Sequence, residues 1–213
     1  MNSRRLESFS DGVFAVAMTV LVFDLLPIGK DAATAHGLTY VLLSAWPQYA
    51  AYAISFLTIG IMWLNHHTMA AHLRQVDRGL LLLNLLLLIG VVALPFPTAL
   101  VAGHLNQGTP GAAKVATVTY GLVMIVISIA FGSMWLYLTS HQATLARGGR
   151  LELPRHARLR FTGGVWGYVI GTAAAFWSAA AGLVIYALLA VYYVFENLPT
   201  PSAEEEEGAA DGR

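Results

Sequence analysis

The chain contains no cysteine among its 213 residues. Disulfides, thiolate catalysis and cysteine-based metal sites are therefore excluded. Charge is nearly as scarce: Asp, Glu, Lys and Arg make up 11% of the residues, against about 25% in a soluble globular domain. No H-E-x-x-H string is present, and the spacing of His66, His67 and His72 fits no recognised zinc pattern. No structural metal or cofactor is expected. No second copy of any segment is visible, which argues against a self-contained inverted-repeat transporter. Formal net charge is zero, and the basic residues sit between apolar runs rather than on one folded face, so a nucleic-acid partner is not expected.

What is abundant is apolar sequence. Hydrophobic residues make up 57% of the chain, and the runs are long enough to cross a bilayer, which takes about 20 apolar residues each. The expected spans are Glu7 to Leu26, Leu38 to Asn65, Leu80 to Val101 (with Pro95-Phe96-Pro97 kinking or ending it) and Val115 to Thr139. The block from Phe161 to Phe195 is too long for one ordinary span and suits two short ones, with Ser178 as a possible turn. An all-α, six-helix membrane domain over residues 1–198 is expected, followed by a disordered acidic tail over residues 199–213 that carries the Glu204–Glu207 run. Five spans, one of them very long, are the alternative.

Loop charge supports the count of six. With the N-terminus inside, Arg4, Arg5, Arg74, Arg78, Arg147, Arg150, Arg155, Arg158 and Arg160 fall on the inner side, and only Lys30 and Lys114 fall outside. This is the positive-inside bias, and it places both termini in the cytoplasm. Ser3-Arg4-Arg5 superficially suggests a twin-arginine export signal, but Glu7, Asp11 and Asp24 interrupt the basic and apolar regions such a signal needs. A retained first helix is the expectation. Trp177, Tyr192 and Tyr193 suit interfacial anchors.

Polar groups at membrane depth are functional candidates by default. Arg5, Ser10 and Asp11 stand at the mouth of the first span, and Asp24 lies near its far end. Along that span Gly12, Val16, Thr19, Phe23 and Leu26 share one helical face, with Val20 bordering it. Such a stripe fits helix packing or a pore wall. The Thr19 hydroxyl could bond the carbonyl of Ala15 and do nothing more. Asn84, inside a leucine-rich run, fits a helix–helix hydrogen bond. His66 or His67 could sense protons. Asp24 fits either an outer vestibule or the water interface near Lys30.

The string Arg5-x-x-x-Phe9-Ser10-Asp11, followed by Gly-Val-Phe-Ala, resembles the signature of the transmembrane protein 175 family, the lysosomal and bacterial potassium channels. Trp63-Leu-Asn65-His66-His67 and Leu94-Pro95-Phe96-Pro97-Thr98-Ala99 resemble that family as well. One copy of the six-span unit is similar to the bacterial members, which the resemblance implies assemble as homotetramers in the inner membrane. It further implies a passive, potassium-preferring channel whose first helix lines the pore. Val16 would form the bottleneck, Thr19 or Val20 the next layer and Phe23 a third, with potassium as the permeant ion near Thr19. No T-V-G-Y-G-like carbonyl filter is present. Arg5, Phe9, Ser10 and Asp11 would hold the pore helix through Trp63, Asn65 and His67. The rival readings are a proton-coupled transporter using Asp11 or Asp24, a membrane enzyme, and a packing subunit of a larger complex. No convergent catalytic set supports the enzyme.

Overall fold

The structure is a computed structural model that describes residues 3–26, 37–105, 109–146 and 155–195. The acidic tail, its boundary at residue 198, Lys30, Arg147 and Arg150 lie outside the described residues. All regular elements among the described residues are helical. They are α1 (Ser3–Val20), continued by a 3₁₀ segment over Leu21–Leu25, α2 (Gly37–Ser44), α3 (Trp46–Ala71) and α4 (Arg78–Ala93). Then come α5 (Pro95–His104), α6 (Pro110–Ser140), the short α7 (Gln142–Leu145), α8 (Arg155–Trp177) and α9 (Ala179–Phe195).

The breaks follow local chemistry. Pro95 has no N–H to offer the carbonyl of Val91, so Leu94 donates to that carbonyl instead, at 3.2 Å. The helix resumes when Thr98 N–H reaches the Leu94 carbonyl at 3.2 Å. The Pro-Phe-Pro string therefore kinks the third apolar run, and α4 and α5 form one bent column. The second run also breaks, at Ala45: Pro47 occupies the opening turn of α3, and α3 continues to Ala71, six residues past the expected end at Asn65. His66 and His67 consequently lie within the same continuous helix as Trp63. The last block divides at Ser178, whose hydroxyl accepts the Ala181 N–H at 3.3 Å and so caps the start of α9.

The helix α6 is the hub. It packs against α4, α5, α8 and α9, whereas α1 packs against α3 and α4. The core runs through Phe14, Ile59, Met69, Leu80, Leu87, Met124, Ile127 and Met134, all essentially without solvent contact. Small residues let the last two helices close on each other. A Cβ added to Gly182 would lie 2.8 Å from Ala175 Cβ and 3.0 Å from the Gly171 carbonyl. Ser55, Thr98 and Tyr120 bond across α3, α5 and α6, with Ser55 Oγ 2.9 Å from Thr98 Oγ1 and 3.4 Å from Tyr120 Oη. By length and apolarity, Ser3–Leu25, Arg78–His104 and Gly111–Ser140 are each long enough to cross a membrane, and α9 supplies a shorter apolar stretch.

The ends of α3, α4 and α6 are clasped together. Leu73 and Ala146 form an antiparallel bridge, and Arg74 N–H donates to the Leu145 carbonyl at 2.8 Å. Asp77 caps α4 through Oδ1, which accepts the Leu80 N–H at 2.9 Å. Its Oδ2 accepts the Tyr137 hydroxyl of α6 at 2.7 Å. Gly79 makes this approach possible, because a side chain there would collide with the Tyr137 ring. Partial burial by itself would raise the Asp77 carboxyl, but the Leu80 N–H, the Tyr137 hydroxyl and the field of His141 hold it below the usual carboxylate value.

A carboxylate with a depressed folded-state pKa stabilises the fold above its unfolded value, and that contribution is lost as pH falls through the folded one. Replacing Asp77 with Ala is expected to cost about 1 kcal/mol from the lost cap alone. Thermal unfolding in detergent should show the deficit near neutrality, show it shrinking as pH falls below the ordinary carboxylate value of about 4, and show it closing only below the lower folded-state value. A deficit that persists undiminished at low pH would assign the cost to packing rather than to charge.

Candidate functional site

The site is built on α1, which has two unlike faces. Leu6, Ser10, Phe14, Ala17 and Leu21 recur at steps of four and three and are buried against the rest of the chain. The opposite face carries Gly12, Val16, Thr19, Val20, Phe23 and Leu26, all exposed in the single chain. Val16 and Phe23 keep 58% and 60% of their surface open in the single chain. The 3₁₀ turn over Leu21–Leu25 tightens this end of the helix. The Thr19 hydroxyl donates to the Val16 carbonyl at 2.8 Å rather than to that of Ala15. Its proton is thereby committed to the backbone, while its oxygen lone pairs remain available on the open face.

Behind that face, α1 is tied to α3 and α4 by a directed chain of hydrogen bonds. His66 Nε2 and Asn84 Oδ1 are 2.8 Å apart. Asn84 Nδ2 donates to Ser10 Oγ at 3.1 Å, and Ser10 Oγ donates to the Leu6 carbonyl at 2.9 Å. The Asn84 oxygen can only accept, so His66 carries its proton on Nε2. His66, Asn84 and Ser10 are all buried, and the Phe14 ring lies over His66 with centroids 5.5 Å apart.

Two further contacts continue the seam toward water. Trp63 Nε1 donates to Asp11 Oδ1 at 2.8 Å. His67 Nδ1 lies 3.0 Å from Glu7 Oε1. Asp11 and Glu7 are one turn apart on α1, and Trp63 and His67 are one turn apart on α3. The two antiparallel helices therefore meet in matching steps of four.

The structure thus brings together Ser10, Asp11, Trp63 and His67, but not all with one another. His67 meets Glu7 rather than Asp11. Asn65 and Phe9 take no part in these bonds, and Phe9 is exposed. Arg5 is exposed and forms no pair with Asp11 among the described residues. Six residues of helix separate the two by about 120° around the axis, so they project from different faces. The seam also includes Glu7, His66 and Asn84. Asn84 was visible in the sequence as a helix–helix polar residue, but its partners were not. Glu7 could have been found from its four-residue spacing to Asp11.

Asp24 stands at the far end of the 3₁₀ segment, partly buried, and its Oδ2 has no hydrogen-bond partner among the described residues. No cluster of three or more metal-ligating side chains occurs among the described residues.

The profile described as "Endosomal/lysosomal potassium channel TMEM175" matches residues 5–95, which include most of α1 and the whole polar seam behind it. A potassium channel of Streptomyces collinus is 43% identical over 95% of this chain and 96% of its own length. The chain belongs to the TMEM175 family. Membership makes it one of a family of ion channels, not an enzyme. A potassium channel of Chamaesiphon minutus is 36% identical over 91% of this chain and 94% of its own length. Among solved structures, a lysosomal potassium-selective channel TMEM175 homolog from Chamaesiphon minutus superposes with a TM-score of 0.75 at 32% identity, covering 90% of this chain and 96% of that one. The TMEM175 fold is thus that of an all-helical, multi-pass membrane protein.

The polar seam carries a stability expectation of its own. Asn84→Leu strands the His66 Nε2–H and removes the bond that Ser10 Oγ accepts, though Ser10 still donates to Leu6, at about 1 kcal/mol for each bond lost in a membrane setting. Trp63→Phe removes one partly exposed bond and is expected to cost less. Thermal midpoints of the detergent-solubilised protein should fall in that order. A larger loss for Trp63→Phe would move the centre of the seam to Asp11.

Proposed function

We propose that this chain is one subunit of a homotetrameric, potassium-preferring cation channel of a bacterial inner membrane, conducting passively along a pore lined by α1. The observation that carries the reading is the open apolar face of α1. Its buried face is fully used by α3 and α4, so the stripe through Val16, Thr19 and Phe23 is left for something outside the subunit. Four such faces around an axis give stacked rings of side chains. The potassium channels among the relatives point to the ion.

In this reading six columns cross the bilayer: α1, α3, the bent α4–α5 pair, α6, α8 and α9. Both termini lie in the cytoplasm. The rings at Val16 and Phe23 close the path by dewetting. Thr19, with its proton committed to Val16, presents four oxygen atoms to a partly dehydrated cation. Potassium sheds water more readily than sodium, so such a ring gives a preference without a carbonyl filter. The polar seam holds α1 at a fixed rotation, so the rings stay aligned.

A second reading rests on Asp24. Its uncommitted Oδ2 is the feature a proton-coupled transporter would use. Asp11 suits that role less well, because Trp63 holds it.

Liposome flux of potassium and sodium through the purified protein distinguishes these. Wild type is expected to conduct both ions, potassium faster. Val16→Asn should raise flux about tenfold, equivalent to about 1.4 kcal/mol off the barrier. Thr19→Ala should bring the two ions closer together. Asp24→Asn should leave flux in place. Flux that is saturable, driven by a pH gradient and abolished by Asp24→Asn would replace the channel with the carrier. Native mass measurement should give four subunits.

A further inference from the structure

A second polar site lies away from α1, in a partly open cavity of about 80 Å³ between α3, α6, α8 and α9. Its walls are mostly apolar, with Met62 and Phe131 among them, but its lining also includes Thr58, Asn65, Ser128 and Tyr168. Three of these four carry polar side-chain groups with no hydrogen-bond partner among the described residues. Tyr168 is 95% buried by its 5% exposure, makes only a ring contact with Tyr186 (centroids 5.8 Å apart), and has no bond for its hydroxyl. Asn65 and Ser128 are half-buried and likewise make no side-chain bond. Thr58 is different: its hydroxyl donates to the Ile54 carbonyl at 2.7 Å.

Several polar groups elsewhere between helices of this chain are paired. Ser55 meets Thr98, Ser10 meets Asn84, and Tyr186 lies 2.9 Å from Thr172 Oγ1. In the cavity, by contrast, the Asn65, Ser128 and Tyr168 side chains keep hydrogen-bonding capacity that the described residues leave unused. An amide and two hydroxyls converging on one cavity supply both donors and acceptors. Among the described residues no charged side chain lines the cavity, so those residues offer an ion no counter-charge. A cavity of this size holds a head group of a few heavy atoms, and the apolar walls at Met62 and Phe131 suit a short tail.

We propose that this cavity is a binding site for a small uncharged amphiphile with a hydroxyl head group, held by Asn65, Ser128 and Tyr168. Such a molecule satisfies all three groups at once, donating to one and accepting from the others, while its tail follows the apolar wall. The site is separate from the α1 face, and its test does not depend on ion flux.

The experiment is saturation-transfer NMR of n-butanol with the full-length protein in lipid nanodiscs, alongside n-butyl chloride, which keeps the tail and lacks the hydroxyl. Wild type should bind butanol saturably, above the linear background of lipid partition. Tyr168→Phe, which keeps the ring, should weaken that binding about fivefold to tenfold, as expected for one lost hydrogen bond. It should leave butyl chloride unchanged. Ser128→Leu, which fills the cavity, should abolish the saturable component for both. A wild-type signal that is linear in concentration and equal in Ser128→Leu is partition only and overturns the site. Saturable binding that Tyr168→Phe does not alter overturns the hydroxyl recognition. Should Ser128→Leu fail to fold, Tyr168→Phe alone decides.

Discussion

A polar side chain inside a hydrocarbon layer has no water to bond, so its partners must come from the protein. The Ser10–Asn84–His66 chain is the point at which this constraint organises the molecule. Each group in it has one assigned role, and the direction of donation runs from the His66 ring to the Leu6 carbonyl. Because the bonds join α1, α4 and α3, they fix both the rotation and the height of α1. The apolar contacts around them, such as Phe14 over His66, set no such register by themselves. Dispersion and burial hold the helices together; the polar seam selects which faces meet.

That selection has a consequence on the far side of the helix. Turning Leu6, Ser10, Phe14 and Ala17 inward necessarily turns Val16, Thr19 and Phe23 outward. The same rotation that satisfies buried polar groups leaves a column of large apolar residues without a partner in its own chain. The buried and open faces of α1 are therefore one feature seen from two sides. The clasp of Asp77, Tyr137 and the Leu73–Ala146 bridge does comparable work at one end of the bundle, where the chain leaves the apolar layer and charge can again be used.

Much of the fold was legible in the sequence because apolar length is a one-dimensional property. The scarcity of charge, the long apolar runs and the opening Arg-x-x-x-Phe-Ser-Asp string sufficed for the all-helical membrane class and the family. The helix break at Ser178 and the kink at Pro95 also follow from local chemistry, since a capping hydroxyl and a missing N–H act on their immediate neighbours. The extension of α3 to Ala71 was less visible, because Asn65, His66 and His67 read as a polar end when they are in fact a polar stripe on a continuing helix.

Partnerships between helices were the part that sequence could not decide. Arg5 and Asp11 are prominent together in the string, yet helical geometry sends them to different sides, and Arg5 remains exposed. His67 pairs with Glu7, and Ser10 pairs with Asn84, 74 residues away. The sequence determined which residues are apolar, where helices begin and break, and which polar groups must find partners at membrane depth. Only the tertiary structure decided which partners they find, because that depends on how three helices rotate and slide against one another. Such rigid-body choices are set by the joint packing of residues far apart in the chain, and no local spacing encodes them.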